Sequence, residues 1–146
     1  MANLNNHLKA MFLAVCAVTL VGCTITQHVK PVENLGASEI CIIQDNAVRA
    51  SFLTVYETAL KERGYSTRLL HSGAAINECE VTSTYLGRWS WDLALYLSYA
   101  KIAVYHNGEP AGEAVYDSTS GGGNLNKFID ADHKIQELVA QLFPPR

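Results

Sequence analysis

Residues 80–116 alternate between polar and apolar side chains and are interrupted by Asn107-Gly108. Val81, Tyr85, Trp89 and Trp91 share one parity and Thr82, Thr84 and Arg88 the other, the two-residue period of a half-buried strand. Residues 93–105 read as a second long strand, or as a strand with a bend near Ser98. Asn-Gly between two apolar runs is the strongest short-range hairpin signal, because both residues tolerate the positive φ of a type I′ turn. Residues 111–116 then pair back across it. A three-stranded antiparallel meander is therefore expected, and the rest of the chain must be arranged around it.

Upstream, Ile40, Ile42 and Ile43 make a short β-branched run suited to a buried strand over residues 39–44. Asp45 or Asn46 is positioned to cap a helix. Val48, Phe52, Val55, Tyr56, Ala59 and Leu60 follow at spacings of three and four, one apolar stripe, and Gly64 marks its stop. Residues 65–70 read as another strand, so strand, helix and strand form a right-handed crossover. Near the C-terminus, Leu125, Phe128, Ile129, Ile135, Leu138, Val139 and Leu142 line one helical face ahead of Pro144-Pro145. The expected fold is α/β (α+β), with order β-α-β-β-β-β-α in a single mixed sheet and two helices packed on one face. No internal repeat is visible.

The N-terminus carries a different message. One lysine, Lys9, precedes an apolar run over residues 10–21 that is too short for a bilayer-spanning helix, which needs about 20 residues. A basic start, a short apolar run and small residues before a cut mark a secretory signal. Leu20-Val21-Gly22-Cys23 has the form of a lipobox, so residues 1–22 are expected to be cleaved and Cys23 to carry acyl chains. One acyl chain binds a membrane only marginally, whereas three on one residue anchor it stably. Thr24 stands where an Asp would favour retention in the inner membrane, so the expected address is the periplasmic face of the outer membrane. Residues 23–37 read as a lipidated cysteine and tether, reaching at most about 45 Å, and residues 38–146 as one domain.

Removing 22 of the 146 residues leaves 124 and takes away Lys9 but no acid, so the mature part holds 10 basic and 14 acidic side chains. A formal charge of −4 gives no support to nucleic-acid binding, which calls for a basic patch. Export also bears on the cysteines. With Cys16 removed and Cys23 lipidated, Cys41 and Cys79 remain as a natural pair in an oxidising compartment. Their bridge would close a loop worth roughly 4 kcal/mol on the chain-entropy account. The alternative is that Cys41 is simply a buried residue of its strand.

Few residues point to chemistry. Ser118-Thr119-Ser120-Gly121-Gly122-Gly123-Asn124 ahead of a helix resembles an anion cradle, with Lys127 to add charge. The phosphate-loop and dinucleotide glycine spacings are both absent, and a flexible link capped by Asn124 is the plainer reading. Trp89, Trp91, Tyr85, Tyr96, Tyr99, Tyr105 and Tyr116 are expected mainly in the core, although an exposed group among them would mark a partner surface. His28, His71, His106 and His133 lack metal-ligand spacing, and Asp130 and Asp132 suit a helix start better than an acid pair. Neither a metal nor a cofactor is expected, and the chain does not read as an enzyme. The leading expectation is a lipid-anchored module that binds another envelope protein. The other is a binding module for a small glycan or lipid fragment at residues 118–124.

Cys23-Thr24-Ile25, Glu39-Ile40-Cys41-Ile42, Trp91-Asp92-Leu93-Ala94-Leu95-Tyr96, Ala114-Val115-Tyr116-Asp117, Gly121-Gly122-Gly123-Asn124 and Lys127-Phe128-Ile129-Asp130 together resemble an uncharacterised family of short Gram-negative lipoproteins. That resemblance implies an address and no activity. In layout alone, the order of elements is similar to periplasmic domains of the TolB N-terminal kind.

Overall fold

The computed structural model describes residues 24–33 and 35–146. The signal segment and Cys23 lie outside the described residues. Six strands, β1 (Thr26–Lys30), β2 (Glu39–Ile43), β3 (Ser66–Leu70), β4 (Val81–Asp92), β5 (Ala94–His106) and β6 (Glu109–Asp117), form one sheet in the order β1-β6-β5-β4-β2-β3. Two helices, α1 (Ala50–Glu62) and α2 (Ala131–Leu142), pack on one of its faces. The sheet is mixed: β2 pairs parallel with β3 and β4, and the remaining pairs are antiparallel. The α+β class expected from the pattern is the one observed.

Asn107 (φ 52°) and Gly108 (φ 85°) make the β5–β6 turn, both in the left-handed region that a type I′ hairpin requires. Register slips between Arg88 and Trp89, where Arg88 faces Tyr99 but Trp89 faces Leu97. Ser98 is thus the extra residue of a bulge, which decides for the strand with a bend over the straight one.

Along the helix-covered face lie Ile40 and Ile42 of β2, Tyr85 of β4, Ala100, Ile102 and Val104 of β5, and Ala114 and Tyr116 of β6. Phe52, Tyr56, Ala59 and Leu60 come down on them from α1, and Ile135, Leu138, Val139 and Leu142 from α2. Phe52 stacks on Tyr85 with ring centres 5.3 Å apart. Tyr56 is fully buried and shares a 2.6 Å hydrogen bond with Ser83. Burial therefore pushes its phenol pKa well above the ordinary range, and the Ser83 bond offsets only part of that. Cys41 and Cys79 form a disulfide across 38 residues, tying the loop ahead of β4 to β2.

Three local expectations change. The segment read as a tether contains β1, whose register runs from Thr26 opposite Asp117 to Lys30 opposite Glu113. Beyond it, Val32 donates its amide to Leu142 O at 2.9 Å and packs on Gly112, where a Cβ would stand 2.5 Å from the Val32 side chain. The segment is thus built into the edge of the domain. Second, α1 starts at Ala50 behind Arg49, which makes no side-chain cap. Asp45 instead holds the preceding turn, its Oδ1 accepting from Ala47 N at 2.9 Å. Third, the C-terminal stripe is broken: Leu125–Phe128 is a single 3-10 turn, and α2 begins only after Asp130, whose carboxylate accepts from His133 N at 2.9 Å.

Candidate functional site

The Gly-rich loop directs its hydrogen-bonding groups inward. Ser118 is buried, and its hydroxyl donates to Leu97 O and Ser98 O at 3.3 and 3.2 Å. Gly121 N donates to Ser118 O at 2.9 Å and Asn124 N to Gly121 O at 2.8 Å. Asn124 Oδ1 accepts from Asn126 N at 3.0 Å, so the asparagine caps the 3-10 turn. Ser120, Gly122 and Gly123 are exposed, while Gly121 is buried against Ile25. Two of the backbone amides that an anion cradle would need are therefore already bonded within the loop.

Lys127, expected as a charge for that cradle, is only 4% exposed. Its ammonium donates to Asp92 Oδ2 and to Gly122 O, and it stands over the rings of Tyr96 and Phe128 at 5.5 and 5.2 Å. A buried ammonium needs a counter-charge and acceptors, and here the β4–β5 turn supplies the first and the glycine loop the second. Lys127 and Gly122 thus form a clasp joining the loop to the β4–β5 hairpin, with Gly121 and Asn124 bonded within the loop and Ser120 and Gly123 exposed beside it.

Beside the clasp is an open hollow of about 430 Å³ lined by Thr24, Ile25, Tyr116, Asn124, Asn126, Ile129 and Lys134. Lys134 donates to Gln27 Oε1 at 2.9 Å and to Glu137 Oε2 at 2.6 Å. The Tyr116 hydroxyl is buried without a hydrogen-bond partner among the described residues. The histidines are scattered, and no group of three potential metal ligands occurs among the described residues. Asp130 serves as a helix cap, and Asp132 lies in the first turn of the same helix.

The aromatics divide. Tyr85 and Tyr116 belong to the core, and Trp89 meets Phe52 edge-on at 6.5 Å under the guanidinium of Arg49. Trp91 was expected to share that burial, but it is 75% exposed. The hairpin runs on past Trp89, and no core contact follows it there. Leu93 (90% exposed), Leu95 (47%) and Leu125 (77%) are exposed at the same end. On the face away from the helices, Arg88 lies over Tyr99 at 5.7 Å and Lys101 pairs with Glu113 at 2.6 Å. That hydrogen bond raises the Lys101 pKa, with burial acting against it.

No protein family and no curated protein matches the chain. Among solved structures it is similar to two of PelC from Paraburkholderia phytofirmans, both described as dodecamers and one of them a point variant. The variant aligns with a TM-score of 0.52 at 10% identity over 82% of this chain and 94% of that one. The other gives 0.50 at 10% identity over 82% and 95%. The likeness is one of fold. Among the described residues no helix is long and apolar enough to cross a membrane.

Proposed function

We propose that the chain is a lipid-anchored envelope protein that works by binding protein rather than by catalysis, with a second copy of itself as the first partner to test. The observation that carries this reading is the face of the sheet left open by the helices. Arg88, Tyr99, Lys101 and Glu113 lie in neighbouring register there, and Arg and Tyr are residues that protein interfaces favour. Among the described residues, the outer edges of β1 and β3 pair with no further strand, which adds backbone groups at both sides of the sheet. The dodecameric description of the PelC structures is the reason to test self-assembly first. The lipobox at Cys23 and the resemblance to short Gram-negative lipoproteins supply the address, the periplasmic face of the outer membrane.

Photocrosslinkers placed in vivo at Tyr99 and Tyr105, compared with one at Gln136 on α2, test the reading. Adducts confined to the sheet positions are expected. Monomer alone at every position, together with a monomeric mass for the purified full-length chain, would refute it. A second reading rests on the unpartnered Tyr116 hydroxyl at the hollow beside Asn124: a small glycan or lipid fragment held there. Calorimetric titration with glycan fragments, lost in Tyr116→Phe, would establish it.

A further inference from the structure

We infer that the β4–β5 hairpin tip docks into the same lipid surface that holds the N-terminus, so that the protein stands on its membrane at two points. The inference rests on the anchoring of Cys23 proposed above. It begins from strand direction. β1 runs antiparallel to β6 and β6 antiparallel to β5, so β1 and β5 point the same way, and the chain traced back from Thr26 heads toward the start of β5. Thr26 stands level with Asp117 and Tyr99, and Tyr99 with Arg88. Beyond that row the hairpin continues from Arg88 to Asp92, about 13 Å of strand. In the same direction, the described chain runs back from Thr26 to Thr24. Thr24, the residue that follows Cys23 in the sequence, and the hairpin tip therefore lie on the same end of the domain. Thr24 itself lines the hollow with Asn124 and Asn126, on either side of the exposed Leu125.

The tip has the chemistry for an interface. Trp91 and Leu95 face one another across the strands, Leu93 caps the turn, and all three are exposed. Over residues 89–98 the single carboxylate or basic group is Asp92. Its charge is matched by Lys127. A pair of opposite charges adds no net charge to the tip, and Trp is favoured at the level of lipid headgroups.

The test uses the full-length chain, processed in a Gram-negative host, extracted in detergent and reconstituted into vesicles of phosphatidylethanolamine and phosphatidylglycerol with brominated acyl chains. Trp89→Phe leaves Trp91 as the sole tryptophan, and the wild type minus Trp91→Phe gives the same signal without altering the core. Trp91 emission is expected to fall by roughly half on bromolipid. Leu93→Asp, which keeps the turn because Asp tolerates positive φ, should abolish that quenching while the circular dichroism spectrum is unchanged. Intact mass reports the anchor separately. A lipidated protein whose Trp91 is quenched by aqueous iodide and not by bromolipid overturns the docking inference and leaves the anchor standing. Trp91 shielded from both quenchers assigns the tip to a protein contact and also overturns it. A product without lipid on Cys23 refutes the anchored reading, and the docking inference falls with it.

Discussion

Where β5 turns into β6, Asn107 and Gly108 adopt positive φ at no unusual cost, and Gly108 nestles against Asn77 of the loop that the Cys41–Cys79 bridge holds down. At the opposite end of the sheet β4 turns into β5 through Leu93, at φ 63° and almost fully in water. A left-handed leucine costs about 1 kcal/mol over glycine in the same place, and its side chain recovers none of that by packing. The first end is closed by a disulfide, a loop and a turn suited to its residues. The other is held by the Lys127–Asp92 pair and the loop contacts around it, and presents apolar side chains beyond them. Local chemistry accounts for the closed end. The open end carries strain and exposure without a structural return, which is the kind of outlier that points to use.

The largest effect is expected at the closed end. Replacing Cys41 and Cys79 with alanine should cost roughly 4 kcal/mol and lower the melting temperature by about 10–20 °C. A melt within a few degrees of the wild type would show that this end does not depend on its staple. Next is Asp92→Asn, which leaves the Lys127 ammonium buried opposite a neutral amide. With the carboxylate half exposed, a loss of about 1–2 kcal/mol is expected in urea denaturation.

The two turns should then respond with opposite signs. Gly108→Ala forces a side chain into positive φ and brings its Cβ to 3.1 Å from that of Asn77, a loss of about 1 kcal/mol. Leu93→Gly should raise the unfolding free energy by up to about 1 kcal/mol, read as a higher urea midpoint. A loss of stability in Leu93→Gly would mean that the exposed leucine is packed after all, and the contrast between the ends would fail.

The smallest effect concerns the clamp of β1 near the open end. Glu137 accepts from Gln27 at 2.8 Å, from Gln141 at 3.0 Å and from Lys134. Burial is the largest single influence on its carboxyl and acts upward, but the hydrogen bonds and the Lys134 charge together hold the pKa below its ordinary value of 4.5. The stability it lends is therefore present above about pH 4.5 and lost as pH falls below that. Glu137→Gln should flatten the acid limb of the stability profile by roughly half a kcal/mol or less. Equal profiles would show that the clamp contributes nothing.

Features written in adjacent residues were legible: the Asn107-Gly108 hairpin, the apolar stripe of α1, the bulge at Ser98. The Cys41–Cys79 pair was legible on the expectation that Cys16 and Cys23 belong to a signal segment and its anchor. What escaped depended on residues far apart. Thr26-Gln27-His28-Val29-Lys30 has one apolar side chain, as suits an edge strand whose inward Gln27 meets polar groups of α2, and its partner strand lies some ninety residues on. Lys127 read as a free cation because Asp92 is 35 positions away. Parity set Trp91 on the same side as Trp89, as observed, but parity does not say how far the covering helices extend. Leu125, Phe128 and Ile129 kept helical spacing, yet Asp130 captures the N-terminus of α2 and leaves Leu125 in water.

The pairing of β1 with β6 also dictates an order of assembly. The first strand to be synthesised docks on the last, so the sheet cannot close that edge until nearly the whole chain has been delivered. Until β6 has been made, β1 has no partner in the sheet, and non-local pairing of this kind is slow to form. A chain truncated before residue 109 would lack the receptor for β1, the first of the described strands.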